Sequence, residues 1–312
     1  MKNYAFIFPG QGSQYVGMGK DLYDFSPEVE KIYEMAKEIL EFDLAQISFE
    51  GPREVLVQTK NTQPAIFVHS MALWQLLKKR DLKPAFVAGH SLGEYSAGVA
   101  AEVFSFEDAL LAVKNRSSLM QKACEQNRGT MAALIGLSQE QVLEVCEQAS
   151  TEGVVQPANF NSQVQIAISG EIKAVERGVE LAKAKGAKMA KILPVGGAFH
   201  SELMRPAQEG MQTVLSEIKI NSASIPLVAN VTGKSVSDSQ EIRKLLTQQI
   251  TQPVSWYPSM RFIYEQGIRD FVEIGPGKVL QGLLKRSFNN VNLYGIDTLS
   301  DLKNFATVGT GL

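Results

Sequence analysis

The sequence predicts an α/β protein built on a mainly parallel sheet, with a smaller ferredoxin-like α+β subdomain inserted into it. Three observations carry this expectation. Short apolar runs alternate with longer helical patterns along most of the chain, the rhythm of a parallel sheet covered by helices. Between about Thr130 and Val195 the order changes to β-α-β-β-α-β, the split arrangement of a ferredoxin-like module. The chain has 312 residues, 45% of them hydrophobic, enough for a large domain and a companion without disulfide or metal staples.

The elements follow in order. Tyr4 to Phe8 is a five-residue apolar run that stops at Pro9-Gly10 and reads as a strand. Gln63 to Lys79 is apolar nearly all round, which predicts a buried helix. Phe86 to Ala88 is a second strand. Ser105-Phe-Glu-Asp places an N-cap with an acid three residues on, so a helix should start there and run through Arg116 towards Cys124. Thr130 to Leu137 reads as a strand, and Ser138 with Gln141 forms a capping box opening a helix to about Ser150. Strands at Val154 to Asn159 and Val164 to Ser169 come next, then a helix from Glu171 to a glycine stop at Gly186, then a strand from Lys188 to Val195. Pro226 to Asn230 and Asp270 to Ile274 complete the clearest strands. The expected division is a discontinuous large domain, residues 1–125 and 195–312, around a small subdomain at 126–194. Thr307 to Leu312 reads as a loose tail.

Thirty-one basic and 33 acidic side chains leave a net charge of −2, which argues against nucleic acid or an anionic membrane as a charge-driven partner. The two cysteines are too few for a disulfide scaffold and fit a reducing compartment. Cys146 shares a helical face with Val142, Val145 and Ala149, a core pattern. No apolar stretch approaches the roughly 18 residues of a membrane span, and the N-terminal run is too short for a signal-peptide core. A cytoplasmic location is expected.

Gly89-His90-Ser91-Leu92-Gly93 is a G-x-S-x-G pattern between a strand and a helix. A serine at such a turn needs glycine on both sides, because a Cβ there would meet neighbouring backbone, and the turn lifts its hydroxyl above the sheet. The helix that follows aims its N-terminal N–H groups at the same spot. A serine nucleophile also needs a base, and the chain has three histidines. His90 adjoins Ser91 and shapes the turn; His69 lies on an apolar helix face with Ile66, Leu73 and Leu76. His200, in the loop Gly196-Gly-Ala-Phe-His-Ser, remains as the base by elimination. No acid between serine and histidine stands out as an orienting partner, so a lipase-type triad is not supported. In Pro9-Gly-Gln-Gly-Ser-Gln the glycines Gly12 and Gly17 have P-loop spacing, but Met18 stands where the lysine must be. That loop could instead offer a backbone N–H to an oxyanion.

Together with Asn115-Arg116, Asn159-Phe-Asn-Ser and Glu273-Ile-Gly-Pro-Gly-Lys-Val-Leu, these segments resemble the malonyl-CoA:acyl carrier protein transacylases and related polyketide acyltransferase domains, in order over almost the whole chain. The resemblance implies an α/β-hydrolase-like core with a ferredoxin-like insertion. It implies Ser91 as the acyl-accepting nucleophile, His200 as base and then acid, the main-chain carbonyl of Gln249 as the orienting group, and the N–H groups of Leu92 and Gln11 as oxyanion hole. Arg116 would bind the malonyl carboxylate; a salt bridge to a protein acid is the alternative for so apolar a helix position. Phe199 matches the position that disfavours an α-methyl. Met120, Asn161 and His90 join the substrate-binding set, Met120 with core packing as its alternative. Gln163-Val164 departs from the Pro-Gly that related proteins usually have after Asn-Phe-Asn-Ser, which puts the cleft wall near Asn161 in question.

The implied reaction is a ping-pong transfer from malonyl-CoA to the phosphopantetheine thiol of an acyl carrier protein, without cofactor or metal, by a monomer. Lys183, Lys185, Lys188 and Lys191, with no acid between Leu181 and Val195, are either a solvated face or a docking patch for an acidic carrier. The alternatives are a polyketide-pathway acyltransferase, an acyl-carrier thioesterase or other serine hydrolase, and a silent carrier-binding module.

Overall fold

A computed structural model describes residues 3–80 and 82–309. Its strands are β1 (Tyr4–Phe8), β2 (Phe86–Gly89), β3 (Gly129–Ile135), β4 (Val155–Ser162), β5 (Gln165–Glu171), β6 (Met189–Ile192), β7 (Leu227–Val228), β8 (Ser235–Val236), β9 (Asp270–Ile274) and β10 (Asn292–Ile296). They form two sheets, one in the order β10-β9-β1-β2-β7-β8 and one in the order β4-β5-β3-β6.

The six-stranded sheet is parallel except for β8, which pairs antiparallel with β7. All five residues of β1 are buried, as a central strand covered on both faces must be. Helix Thr59–Leu77 packs against helix Phe106–Gln126, which packs in turn against helix Arg205–Glu217. Ser105 caps the second of these by accepting from the Asp108 N–H, as its sequence requires.

The four-stranded sheet is wholly antiparallel, and the predicted β-α-β-β-α-β order is present. Ser138 and Gln141 form both bonds of the capping box. Val142, Val145, Cys146 and Ala149 pack with Ile166, Ile168, Val175 and Val179 in a core of their own. Both cysteines are buried and free, and burial pushes their thiols up, Cys124 to about 11 and Cys146 to about 12.

Four expectations need correction. The buried helix starts at Thr59, ahead of Pro64. Proline supplies no N–H to the Lys60 carbonyl, and the Ser117 hydroxyl reaches that carbonyl at 3.4 Å. The strand expected over Pro226 to Asn230 pairs only at Leu227 and Val228, after which Ala229 turns back towards Lys234. The expected strand from Lys188 to Val195 shortens to Met189–Ile192, where pairing with β3 stops before Pro194. The tail predicted from Thr307 begins instead inside a helix, Leu299–Gly309; residues 310–312 lie outside the described residues.

The strands of the larger sheet place their loops together at one end. The turns after β1, β2, β7 and β9 all leave the carboxyl edge, where open α/β sheets carry their sites. Close approach there excludes side chains at two glycines. A Cβ at Gly89 would overlap the main chain of Gly93 and Glu94, and one at Gly93 would overlap the Phe8 carbonyl. Gly89→Ala is therefore expected to lower stability by about 3 kcal/mol or more, seen as a fall in the urea midpoint.

Candidate active site

Ser91 stands between β2 and the helix Gly93–Ala100 with φ 51°, the left-handed conformation a non-glycine residue adopts only when held there. Both of its main-chain groups are held. Its N–H donates to Asn230 Oδ1 at 2.7 Å, and its carbonyl accepts from Gln249 Nε2 at 2.9 Å.

The hydroxyl points at His200. Ser91 Oγ lies 2.8 Å from His200 Nε2, and His200 Nδ1 lies 2.8 Å from the main-chain oxygen of Gln249. A carbonyl can only accept, so Nδ1 carries the proton and Nε2 presents its lone pair to the serine. Gln249 follows the last turn of the helix Ser239–Gln248, where carbonyls lack intrahelical partners and the helix dipole is negative. The orienting role left unfilled by any acid thus falls to a helix end. Burial, with Arg116 nearby, pushes His200 down to about 3, and burial also lowers His90.

Arg116 is 1% exposed, and among the described residues it makes no ion pair with a carboxylate. Its Nη1 donates to Gln63 Oε1 at 2.6 Å, and its Nη2 donates to Gln249 Oε1 at 2.9 Å and to Ser91 Oγ at 3.0 Å. Tyr95 lies alongside, its ring centre 5.7 Å from the guanidinium carbon. The alternative of a protein salt bridge is therefore not what the fold builds.

Ser91, His200, Arg116 and Gln63 line a cavity of about 270 Å³ that also touches Gln11, Leu92, His90, Asn161, Phe199 and Met120, and Gln249 is joined to it through its bonds to His200 and Arg116. Every residue singled out in the sequence for this site thus comes to one place. Leu92 begins the helix after the serine, and Gln11 enters on the loop after β1, where a Cβ at Gly10 would overlap the His90 carbonyl. Asn161 holds His90 through Oδ1 to Nε2 at 2.9 Å, and the His90 ring lies on Trp256 at 5.5 Å. The unusual Gln163-Val164 turn leaves this contact in place and sends Gln163 outward to the Tyr257 hydroxyl at 2.7 Å. The small sheet supplies a wall of Met131, Ala133, Ile166 and Ala167. A larger groove of about 960 Å³ beside Trp74 and Phe104 contains none of these groups.

Three participants were not read from the sequence. Gln63 sits in the polar run Asn61-Thr62-Gln63 of an otherwise apolar helix, a signal that was available. Asn230 follows β7 at the carboxyl edge and also donates to the Gly89 carbonyl, 2.6 Å away. Glu94 directly follows the G-x-S-x-G glycine and is 2% exposed. His69 is a core residue bonded to Asp297 at 3.0 Å, as its apolar face implied. Of the four lysines, Lys183, Lys188 and Lys191 are exposed, whereas Lys185 is half-buried and paired with Glu144 at 2.8 Å. Among the described residues no group of three or more His, Cys, Asp or Glu side chains is arranged to hold a metal, and no helix is long and apolar enough to cross a membrane.

A serine held against a neutral imidazole, with a fixed cation at its oxygen, is built to accept an acyl group, and the α/β frame around it places the protein among the enzymes of acyl transfer. The chain belongs to the acyl transferase domain family, which matches residues 5–310, and within it to the malonyl CoA-acyl carrier protein transacylases. It is 44% identical over 287 residues to the malonyl CoA-acyl carrier protein transacylase of Bacillus subtilis (strain 168), covering 92% of this chain and 90% of that one. It superposes on the malonyl CoA-acyl carrier protein transacylase of Coxiella burnetii with a TM-score of 0.95 at 38% identity, covering 98% and 97%. A malonyl-transacylase solved in complex with its type II PKS acyl-carrier protein gives 0.94 at 39% identity, covering 97% and 98%.

The two buried groups shift stability with pH in opposite directions. His200 stays neutral in the fold but gains a proton below about 6.5 once unfolded, so its contribution is lost as pH falls from 6.5 towards 3. Glu94, raised by burial to about 7 from 4.5, contributes most below 4.5, and that contribution is lost as pH rises through 7. Comparing wild type with His200→Ala isolates the first effect. The stability difference should move against wild type between pH 7 and pH 4.5 in chemical denaturation; a constant difference would contradict the buried neutral imidazole.

Proposed function

We propose that this protein transfers a malonyl group from malonyl-CoA to the phosphopantetheine thiol of an acyl carrier protein, through an ester on Ser91, and so supplies fatty acid elongation. The observation that carries the reading is the continuous chain from the Gln249 carbonyl through His200 to Ser91 Oγ, with Arg116 donating to the same oxygen.

In the first half-reaction His200 Nε2 takes the Ser91 proton as Oγ attacks the thioester carbonyl. The N–H groups of Leu92 and Gln11 receive the oxyanion, each contributing roughly two to three powers of ten in rate. The tetrahedral intermediate collapses, coenzyme A leaves, and His200 returns the proton to its sulfur. In the second half the carrier thiol attacks the ester, His200 accepting its proton and then protonating Ser91. Arg116 offers a planar fork to the malonyl carboxylate, and its present partners, two amides and a hydroxyl, are neutral groups that a carboxylate outcompetes. Phe199 crowds the α-carbon, which favours malonyl over its methylated form, while Met120, Asn161 and His90 shape the acyl and thioester path. The chemistry requires neither metal nor prosthetic group.

The same reading assigns residues 1–125 and 195–312 to a discontinuous large domain and 126–194 to the insertion, the protein acting as a cytoplasmic monomer. Lys188 and Lys191 lie on or beside the edge strand β6, which leads through the cavity-lining Leu193 and Val195 to His200, and Lys183 is near in sequence. Such a position suits docking of an acidic carrier whose arm must reach Ser91. Lys185, already paired, contributes less. A polyketide pathway is the second reading, favoured by the likeness to a transacylase solved with a type II PKS carrier.

Intact mass after mixing with malonyl-CoA tests the reading. Wild type should gain one malonyl group, stable in buffer and discharged by carrier protein, and Ser91→Ala should gain none. Arg116→Ala should lose about 2 to 3 kcal/mol of malonyl recognition, the range for a hydrogen bond to a charged group, with less effect on acetyl transfer. Equal losses for both acyl groups would refute the arginine's role. Reversing the charges of Lys188 and Lys191 should raise KM for the carrier and leave malonyl-CoA loading unchanged; an unchanged KM would remove the docking patch.

A further inference from the structure

Glu94 lies in the first turn of the helix after Ser91, is 2% exposed, and has no part in the reaction set out above. Its surroundings are one-sided. Gln249 Nε2 donates to Glu94 Oε2 at 2.6 Å, and the Asn230 N–H lies 3.3 Å from each carboxylate oxygen. Both partners are donors, which suits an ionised carboxylate.

Gln249 is committed on every side. Its Nε2 also donates to the Ser91 carbonyl at 2.9 Å, its Oε1 accepts from Arg116 at 2.9 Å, and its main-chain oxygen accepts from His200 at 2.8 Å. A side-chain amide has one accepting and one donating end. Turned over, it would set NH2 against the guanidinium and an oxygen against both the Glu94 carboxylate and the Ser91 carbonyl. The charge on Glu94 makes the observed orientation the favoured one.

We propose that Glu94 is a positioning residue for acyl-group selection. Its carboxylate fixes the Gln249 amide with Oε1 towards Arg116, and it holds negative charge one amide away from the guanidinium, leaving Arg116 for the carboxylate of the incoming acyl group. This rests on the Ser91 acyl-enzyme reaction. A carboxylate placed directly on Arg116 would compete with the substrate's own. Without charge at position 94 the amide loses the shortest of the three contacts that fix its orientation, and with it part of the hold on the acceptor that steadies Arg116.

The test measures Ser91 acylation by malonyl-CoA and by acetyl-CoA, followed by quenched intact mass. It is run at pH 8, above the value of about 7 to which burial raises Glu94. Glu94→Gln, close in shape, should lower malonyl loading relative to acetyl loading by about tenfold. The double variant Glu94→Gln/Gln249→Glu moves the carboxylate onto Arg116 and also removes the donor to the Ser91 carbonyl, so it is read by the ratio alone: malonyl loading relative to acetyl loading should fall below that of Glu94→Gln. The double variant keeps one carboxylate and one amide in the same buried space, so it reports even where the single variant does not fold. A malonyl-to-acetyl ratio unchanged from wild type in either variant, or equal loss for both acyl groups, overturns the proposal. Failure of wild type itself to load malonyl on Ser91 overturns the reaction beneath it, and is distinguished by appearing in the unmodified protein.

Discussion

The turn that carries Ser91 is the constraint around which the rest of the site is arranged. The backbones of the β1 and β2 turns and the following helix come so close that Gly89 and Gly93 have no room for a Cβ, and Ser91 itself is held at φ 51°. A non-glycine residue in that region costs on the order of 1 to 3 kcal/mol. The strain persists because side chains from distant parts of the chain tie down both main-chain groups of the serine, Asn230 on the N–H and Gln249 on the carbonyl. His200, also at positive φ with 58°, is restrained similarly by Gln249 and by Gln156, whose amide lies 3.3 Å from its carbonyl. The two strained residues face each other across 2.8 Å. Gln249 is common to both, which ties the geometry of nucleophile and base to one residue.

Electrostatics follow from the same burial. A histidine within reach of a guanidinium and closed off from water stays neutral, and a neutral imidazole is the form that can take a proton from serine. The imidazolium of the proposed reaction would meet the negative end of the helix Ser239–Gln248 through the Gln249 carbonyl. A carbonyl in that place is neutral at rest yet would favour the charged imidazole of the proposed transition state.

Much of this was legible in the sequence because it is local. The elbow at Ser91, the capped helix starting at Ser105, the capping box at Ser138 and the buried strand β1 are each specified within a few neighbouring residues. Arg116, Phe199, Gln249, Gln11 and Leu92 came from resemblance to a family; the structure brings all but Gln249 to the same cavity and bonds Gln249 to its His200 and Arg116. What escaped was long-range. Gln63, Asn230 and Glu94 are ordinary polar residues whose meaning lies in partners 53, 139 and 155 positions away. Strand β7 escaped in part for a related reason, since it ends where Ala229 turns back towards Lys234 and not where its own apolar run ends. Lys185 was grouped with its neighbours by spacing alone, and only the fold brings Glu144 to it.

The choice of neutral partners for Arg116 bears on how the site discriminates. A buried guanidinium needs acceptors, and a protein carboxylate in contact would satisfy it most strongly. The fold supplies instead two amide oxygens and the serine hydroxyl, and keeps its nearest buried carboxylate behind the Gln249 amide. Neutral acceptors prevent the cost of an orphaned charge without neutralising it. In the proposed reaction, an acyl group that brings its own carboxylate would gain an ion pair in this buried site without first breaking one, and an uncharged acyl group would gain less from the arginine. On the proposed function, selectivity for a carboxylated acyl chain would arise from an interaction left incomplete in the free protein, whose provisional partners are two amides and the serine hydroxyl itself.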